Sequence, residues 1–213
     1  MICGVDEAGK GSVLGPMVIA GVRMASEEVL SGIPVRDSKL LSPAERERLY
    51  PLIRKRCRTA TVIIDAHEID AIRREMSLNS CVARSHAEVI RKLAPDIAYV
   101  DACDVNAERY AETVKSYLEI SCEVKSMHHA DLTYPVVSAA SIIAKVTRDR
   151  AMEKIAKKYG RIGSGYPSDP VTISFLSAYI DEHGSPPPIA RKSWKTVISL
   201  QAQKEQSTLV KFF

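Results

Sequence analysis

Four carboxylates stand where short apolar runs end. Asp6 and Glu7 close the run over residues 2–6, Asp101 closes the run 96–101, and Asp131 follows the run 121–127 after the linker His128-His129-Ala130. Carboxylates gathered at the ends of neighbouring strands repel one another and lose hydration, so a cation has to compensate them. Hard oxygen donors suit Mg²⁺ or Mn²⁺. Two such ions about 4 Å apart can activate water and stabilise the leaving oxygen in phosphodiester hydrolysis. The spacing alone fits solvated loop acids equally well. Adjacent side chains on a strand point to opposite faces, so Asp6 and Glu7 share one site only if the backbone turns at the strand end. His128 and His129 are set aside as ligands, because oxygen-ligated sites for these ions seldom use histidine.

Directly after the acidic pair come Gly9, Lys10 and Gly11. Residues 4–10 match the G-x-x-x-x-G-K pattern of a phosphate-cradling loop, but the match fails physically. Gly11 stands where Ser or Thr would bind the metal, and Asp6 and Glu7 would put negative charge inside a loop built for phosphates. The glycines instead let the backbone approach a substrate closely, with Lys10 able to meet a phosphate. A plain tight turn uses glycine in the same way. Further along, Lys145 and Arg148 lie three apart, on one helix face. Residues 145–161 carry seven Lys or Arg against two Asp or Glu, a strip suited to a duplex backbone or, for Lys154, Lys157 and Lys158, to plain solvation.

The elements that must position these residues are legible in outline. Strands are expected over 2–6, 16–24, 59–64, 96–101 and 121–127, from β-branched, alternating or short apolar runs. Ser42, Pro43 and Glu45 form an N-cap, first-turn proline and capping-box glutamate, which predicts a helix to about residue 57. Helical spacing covers 77–93, 106–118 and 137–159, the last closed by Gly160. Asp169-Pro170 opens a helix to about residue 182, and the triple proline 186–188 precedes a last helix near 193–201. Early strands followed by strand–helix alternation predict an α/β fold, a mixed sheet with helices packed on it and a helical C-terminal portion.

Composition sets the frame. The 213 residues suit one domain with a real core, and 46% hydrophobic with 26% charged residues is ordinary globular usage. A net charge of +4 permits a polyanionic partner without requiring one. The five cysteines are odd in number and none pair at C-x-x-C spacing, which argues against a disulfide framework or zinc knuckle and for a reducing compartment. No signal sequence or membrane-length apolar run is present, so the expected location is the cytoplasm. Three Gln and two Asn lean towards a thermophilic source.

Five blocks taken in order carry a family resemblance: GVDEAGKGSVLGP from residue 4, DSKLLSP at 37–43, IAYVDACDV at 97–105, HHADLTYPVVSAASIIAKVTRDR at 128–150 and GSGYPSDP at 163–170. Together they resemble type 2 ribonuclease H, ribonuclease HII, over nearly the whole chain. The related type 3 enzymes usually carry an extra N-terminal domain, whereas here the motif begins at residue 2. The resemblance implies a ribonuclease H-like fold with a five-stranded mixed sheet flanked by helices and a helical C-terminal extension. It implies hydrolysis of the RNA strand of RNA/DNA hybrids and incision 5′ of ribonucleotides embedded in duplex DNA, leaving 3′-hydroxyl and 5′-phosphate ends. The family's metal-binding acids fall on Asp6, Glu7, Asp101 and Asp131. Its Gly-Lys/Arg-Gly loop falls on Gly9, Lys10 and Gly11, and its junction-sensing tyrosine on Tyr166, where a 2′-hydroxyl distinguishes RNA from DNA. Lys39 resembles a position that contacts a phosphate near the cut. A nuclease of the same fold with another preferred substrate, or a binding module that lost catalysis, are the competing readings. The presence of all four acids speaks against the second.

The chain ends QSTLVKFF, with Gln206, Leu209, Phe212 and Phe213 in the spacing of a clamp-binding peptide. One helical turn would set Leu209, Phe212 and Phe213 on one side as a plug for a sliding clamp; the two phenylalanines could instead fold back on the enzyme. A clamp of this kind, with a type 2 enzyme of this length, suggests an archaeal source. The expected organisation is a catalytic domain over 1–165, a helical extension over 166–204 and a flexible clamp-binding tail over 205–213, in an enzyme that is itself monomeric.

Overall fold

The computed structural model describes residues 1–35 and 41–210, with side chains described to residue 206. Its five strands are β1 (Ile2–Ala8), β2 (Met17–Met24), β3 (Arg58–Ile64), β4 (Ile97–Asp101) and β5 (Glu123–Met127). They form one sheet in the order β3-β2-β1-β4-β5. β1 lies in the middle, antiparallel to β2 from Ile2↔Met24 to Ala8↔Val18 and parallel to β4 from Ile2↔Ile97 to Val5↔Val100. β4 and β5 are parallel, ending at Asp101↔Met127. Strands β1 and β2 are buried nearly throughout, as their largely apolar runs require, while edge strand β5 alternates with exposed residues and edge strand β3 is half-buried for most of its length.

Eight helices accompany the sheet among the described residues: α1 (Pro43–Arg56), α2 (Ala66–Ile72), α3 (Leu78–Leu93), α4 (Ala107–Ser116), α5 (Ala130–Thr133), α6 (Pro135–Tyr159), α7 (Pro170–His183) and α8 (Lys195–Val210). The Ser42–Glu45 capping box opens α1, Ser77 caps α3, and the Asp169 carboxylate accepts from Val171 N–H at the start of α7. The starts at Ser42 and Asp169 were legible because a cap is a local interaction, and that of α3 because of its helical spacing. α2 and α5 were not anticipated. α2 has its own capping box from Asp65 and Glu68, a signal present in the sequence. α8 runs on to Val210 where the sequence suggested an end near residue 201, so Gln206 and Leu209 lie on helical backbone.

The chain forms two compact units. The first comprises Met1–Ala8, Val18–Ile63 and Met76–Arg148, and holds the sheet. Two glycines show how tightly helices press on it. A Cβ on Gly4 would lie 2.4 Å from backbone atoms of Val136 and Val137 in α6. A Cβ on Gly21 would lie 2.4 Å from the Val89 side chain of α3. Gly21 pairs with Val5, so odd-numbered residues of β1 face α3 and even-numbered ones face α6. Val18, Ala20, Val22, Leu49, Ile53, Val137, Ala140 and Ile143 belong to the core of this unit. The second unit comprises Gly9–Met17, Ile64–Glu75 and Asp149–Phe213. Its core gathers Val13, Leu14, Met152, Ile162, Leu176, Ala190 and Val197. Among the described residues no helix is long and apolar enough to cross a membrane.

Candidate active site

The pleat of β1 sends its two acids to different neighbours. Asp6, an even position, faces α6 and is 6% exposed. The Ser141 hydroxyl of α6 donates to its carboxylate, and Glu7 N–H donates to Asp6 Oδ1 at 2.7 Å. Burial, reinforced by the charges of Glu7 and Asp101, pushes the Asp6 carboxyl up to about 8, the hydrogen bonds from Ser141 and Glu7 N–H notwithstanding. Asp101 arrives on β4, one residue beyond the last β1–β4 pair, Val5↔Val100. Its Oδ1 accepts the Ala130 N–H at 2.9 Å, which ties the end of β4 to the first turn of α5. The next residue is Asp131, 2% exposed. Burying several carboxylates within one unit is costly unless positive charge accompanies them, and oxygen donors of this kind suit Mg²⁺ or Mn²⁺.

Glu7, an odd position, faces α3, and β1 continues through Ala8 rather than turning at the acids. The Cys103 thiol donates to Glu7 Oε1 at 3.0 Å, and His86 Nε2 lies 3.3 Å from Oε2. His86 is fully buried on α3, with Nδ1 3.3 Å from the Tyr110 hydroxyl of α4. The two rings meet edge to face, 5.8 Å between centroids. Burial, with the charges of Cys103 and Glu7 adding to it, keeps the Tyr110 hydroxyl far above its usual range.

In the second unit, the loop after β1 is held in shape from beneath. Gly9 adopts φ 84°, a left-handed conformation that favours glycine, and Gly11 has open space where a side chain would be. The fully buried Arg191 donates through Nη1 to Lys10 O at 2.9 Å, and through Nε and Nη2 to Gly15 O at 3.2 and 3.1 Å. Val13 N–H and Leu14 N–H both donate to Gly165 O, at 2.7 and 3.1 Å. The 9–17 segment is therefore fastened to the residue preceding Tyr166, which is half-buried.

Lys145 is half-buried on α6, and Arg148 is 4% exposed. Lys39, Phe212 and Phe213 lie outside the described residues; Gln206 is exposed, and Leu209 falls on the backbone of α8. The sequence reading missed His86, Cys103, Tyr110, Ser141 and Arg191. Ser141 stands among small and aliphatic residues that read as core, and His86 lies on the apolar face of α3. Cys103, two residues after Asp101, carried a usable signal in its position. Arg191 had none, because its partners are backbone carbonyls far away in the chain.

A family model for Ribonuclease HII matches residues 3–197. Ribonuclease HII of Methanoregula boonei is 72% identical over the full length of both chains. Among solved structures, ribonuclease H2 from Pyrococcus horikoshii OT3 superposes with a TM-score of 0.89 at 40% identity, covering 96% of this chain and 99% of that one. The structure of the PCNA:RNase HII complex from Archaeoglobus fulgidus matches with a TM-score of 0.87 at 42% identity, covering 94% and 96%. Agreement of sequence and fold over whole chains makes this protein a member of the ribonuclease HII family, and so a ribonuclease H, an endonuclease of RNA/DNA hybrids in a family that works with divalent metals.

Proposed function

We propose that this ribonuclease HII also incises duplex DNA on the 5′ side of embedded ribonucleotides, leaving 3′-hydroxyl and 5′-phosphate ends, with Asp6, Glu7, Asp101 and Asp131 as its metal-binding acids. The observation that carries the assignment is Asp6. It is a buried carboxylate raised to about 8 by burial and by the charges of Glu7 and Asp101, a state that a bound cation reverses. The donors are hard oxygens, which fit Mg²⁺ or Mn²⁺. When bound, such ions, in a pair by preference, supply an activated water and stabilisation of the leaving oxygen.

The protein's own groups supply the rest. Ser141 and the Glu7 N–H orient the Asp6 carboxylate, and the Ala130 N–H orients Asp101. Gly9, Lys10 and Gly11 offer backbone groups and one cation to the sugar–phosphate chain, held in shape by Arg191. Tyr166 presents a hydroxyl to the 2′-hydroxyl that separates RNA from DNA. Lys39, Lys145 and Arg148 are assigned to the duplex backbone, with Arg148, buried as it is, supporting its surroundings more than touching phosphate directly.

Residues 205–213 are assigned to docking on a sliding clamp through Gln206, Leu209, Phe212 and Phe213. The Archaeoglobus fulgidus relative in complex with PCNA supports this reading. The decisive assay compares three duplexes, one with a single embedded ribonucleotide, one RNA/DNA hybrid and one all-DNA, each with Mg²⁺, Mn²⁺ or EDTA. Metal-dependent cutting of the first two is expected. Cleavage of the hybrid alone would remove the embedded-ribonucleotide activity. Deleting 206–213 should spare cleavage and abolish clamp pull-down; retained pull-down would move the docking site elsewhere.

A further inference from the structure

Beside the hard-oxygen site stands a donor set of another kind. Glu7, His86 and Cys103 each offer one ligand atom, and these atoms lie within 4.8 Å of one another. Imidazole nitrogen, thiolate sulfur and carboxylate oxygen together are the ligands of Zn²⁺ and similar borderline-soft ions, not of Mg²⁺. We propose that Glu7, His86 and Cys103 form a binding site for a soft divalent cation of the Zn²⁺ class, which inhibits the nuclease by taking Glu7 from the catalytic metal.

Geometry supports the set in three ways. Zn–N, Zn–S and Zn–O bonds of about 2.0–2.3 Å in a tetrahedron put neighbouring donors roughly 3.3–3.6 Å apart. The observed separations are 3.0 Å for Cys103 Sγ to Glu7 Oε1 and 3.3 Å for His86 Nε2 to Glu7 Oε2, and with the three ligand atoms within 4.8 Å of one another, side-chain shifts of at most about 1 Å close the site. Second, His86 Nε2 is fully buried, lies 3.3 Å from Glu7 Oε2 and makes no hydrogen bond. A fully buried nitrogen without a hydrogen bond, standing beside a carboxylate and a thiol, is available as a ligand. Third, its other nitrogen is already oriented. With the proton on Nδ1, His86 donates to the Tyr110 hydroxyl at 3.3 Å, which leaves Nε2 as the nitrogen whose lone pair can bind an ion. Cys103 is only half-buried, which leaves a path in from solvent, and water completes the fourth position. The thiol proton is released to solvent as the ion binds.

Inhibition follows from the shared carboxylate, and this part alone rests on Glu7 being a ligand of the catalytic metal. Cys103 flanks one Glu7 oxygen and His86 the other, so a soft ion held between them draws on the whole carboxylate and adds positive charge beside the hard-cation site. Binding itself is tested without catalysis. Co²⁺ titrated into the metal-free full-length protein should give tetrahedral visible absorption and a thiolate charge-transfer band in the ultraviolet. Cys103→Ser should lose the charge-transfer band, and His86→Phe should weaken binding at least about tenfold, each variant first shown to be folded by circular dichroism. A wild-type protein with no such band, or a band that survives Cys103→Ser, overturns the site. For inhibition, hybrid cleavage at fixed Mg²⁺ is titrated with Zn²⁺ and expressed relative to each protein's own uninhibited rate. The half-inhibiting Zn²⁺ concentration should rise at least about tenfold in both variants, and equal sensitivity in all three proteins overturns the competition. Absence of hybrid cleavage in the wild type would count against the metal-dependent chemistry of Glu7, while the Co²⁺ spectra would still decide the site.

Discussion

Replacing Asp6 by Asn separates the energetic load of the acidic cluster from its chemistry. In the metal-free protein the Asp6 carboxyl sits at about 8 against 3.8 for the ordinary group, because of burial and then the charge of Glu7. The folded state therefore keeps a proton that the unfolded chain has lost across the range between those values. Stability is fully present below the unfolded value and is lost as pH rises through the window, at up to about 1.4 kcal/mol per pH unit for one proton. From about pH 5 to pH 7 that amounts to roughly 3 kcal/mol, and the titration belongs to the cluster as a whole because its acids interact. An amide at position 6 does not titrate. Whatever constant offset Asp6→Asn adds through its hydrogen bonds, the stability of the variant relative to wild type should rise steadily with pH. Urea unfolding in EDTA at about pH 5, 6 and 7 measures this, since midpoint and slope give the free energy at each pH. Mg²⁺ should then restore wild-type stability increasingly at the higher pH values and leave the variant unmoved, and the variant should bind hybrid without cutting it. Parallel pH profiles for the two proteins in EDTA would refute the argument that Asp6 is held protonated by its neighbours.

Gly4→Ala should lower stability by about 1–3 kcal/mol or more, because the new methyl meets the immovable backbone at the start of α6; an unchanged thermal midpoint would contradict that close approach. Arg191→Lys exchanges a three-donor fork for one ammonium and leaves a carbonyl of the 9–17 loop without its donor, at a cost of roughly 1–3 kcal/mol and with faster amide exchange in that loop by mass spectrometry; unchanged exchange would show the loop to be self-supporting. Tyr166→Phe should reduce kcat/KM on a duplex with one embedded ribonucleotide by roughly tenfold, the worth of one hydrogen bond, and equal activity would remove the hydroxyl from the junction-sensing role.

Much of the molecule is legible in its sequence, and the legible parts share a cause. Helix starts at Ser42 and Asp169 are caps, which depend on residues three or fewer apart. Inner strands β1 and β2 read as apolar runs because both of their faces are covered. The acids at residues 6, 7, 101 and 131 stand out in the sequence as carboxylates closing or following short apolar runs, although Asp6 and Glu7 lie within β1 and Asp131 within α5. α2 was overlooked despite its capping box, and the end of α8 was placed too early.

What tertiary structure decided is which group meets which. Periodicity says that Asp6 and Glu7 part company on a strand, but only the packing of α6 on one face and α3 on the other gives Asp6 a serine and Glu7 a histidine and a thiol. The elevated Asp6 carboxyl comes from burial and from charges delivered by neighbouring positions on β1 and β4, and no local pattern encodes that sum. Arg191 reaches carbonyls 176 and 181 residues away in the chain, a distance over which sequence carries no spacing rule. The identities of the chemical groups were written in the chain; their electrostatics came from which ones the fold buried together.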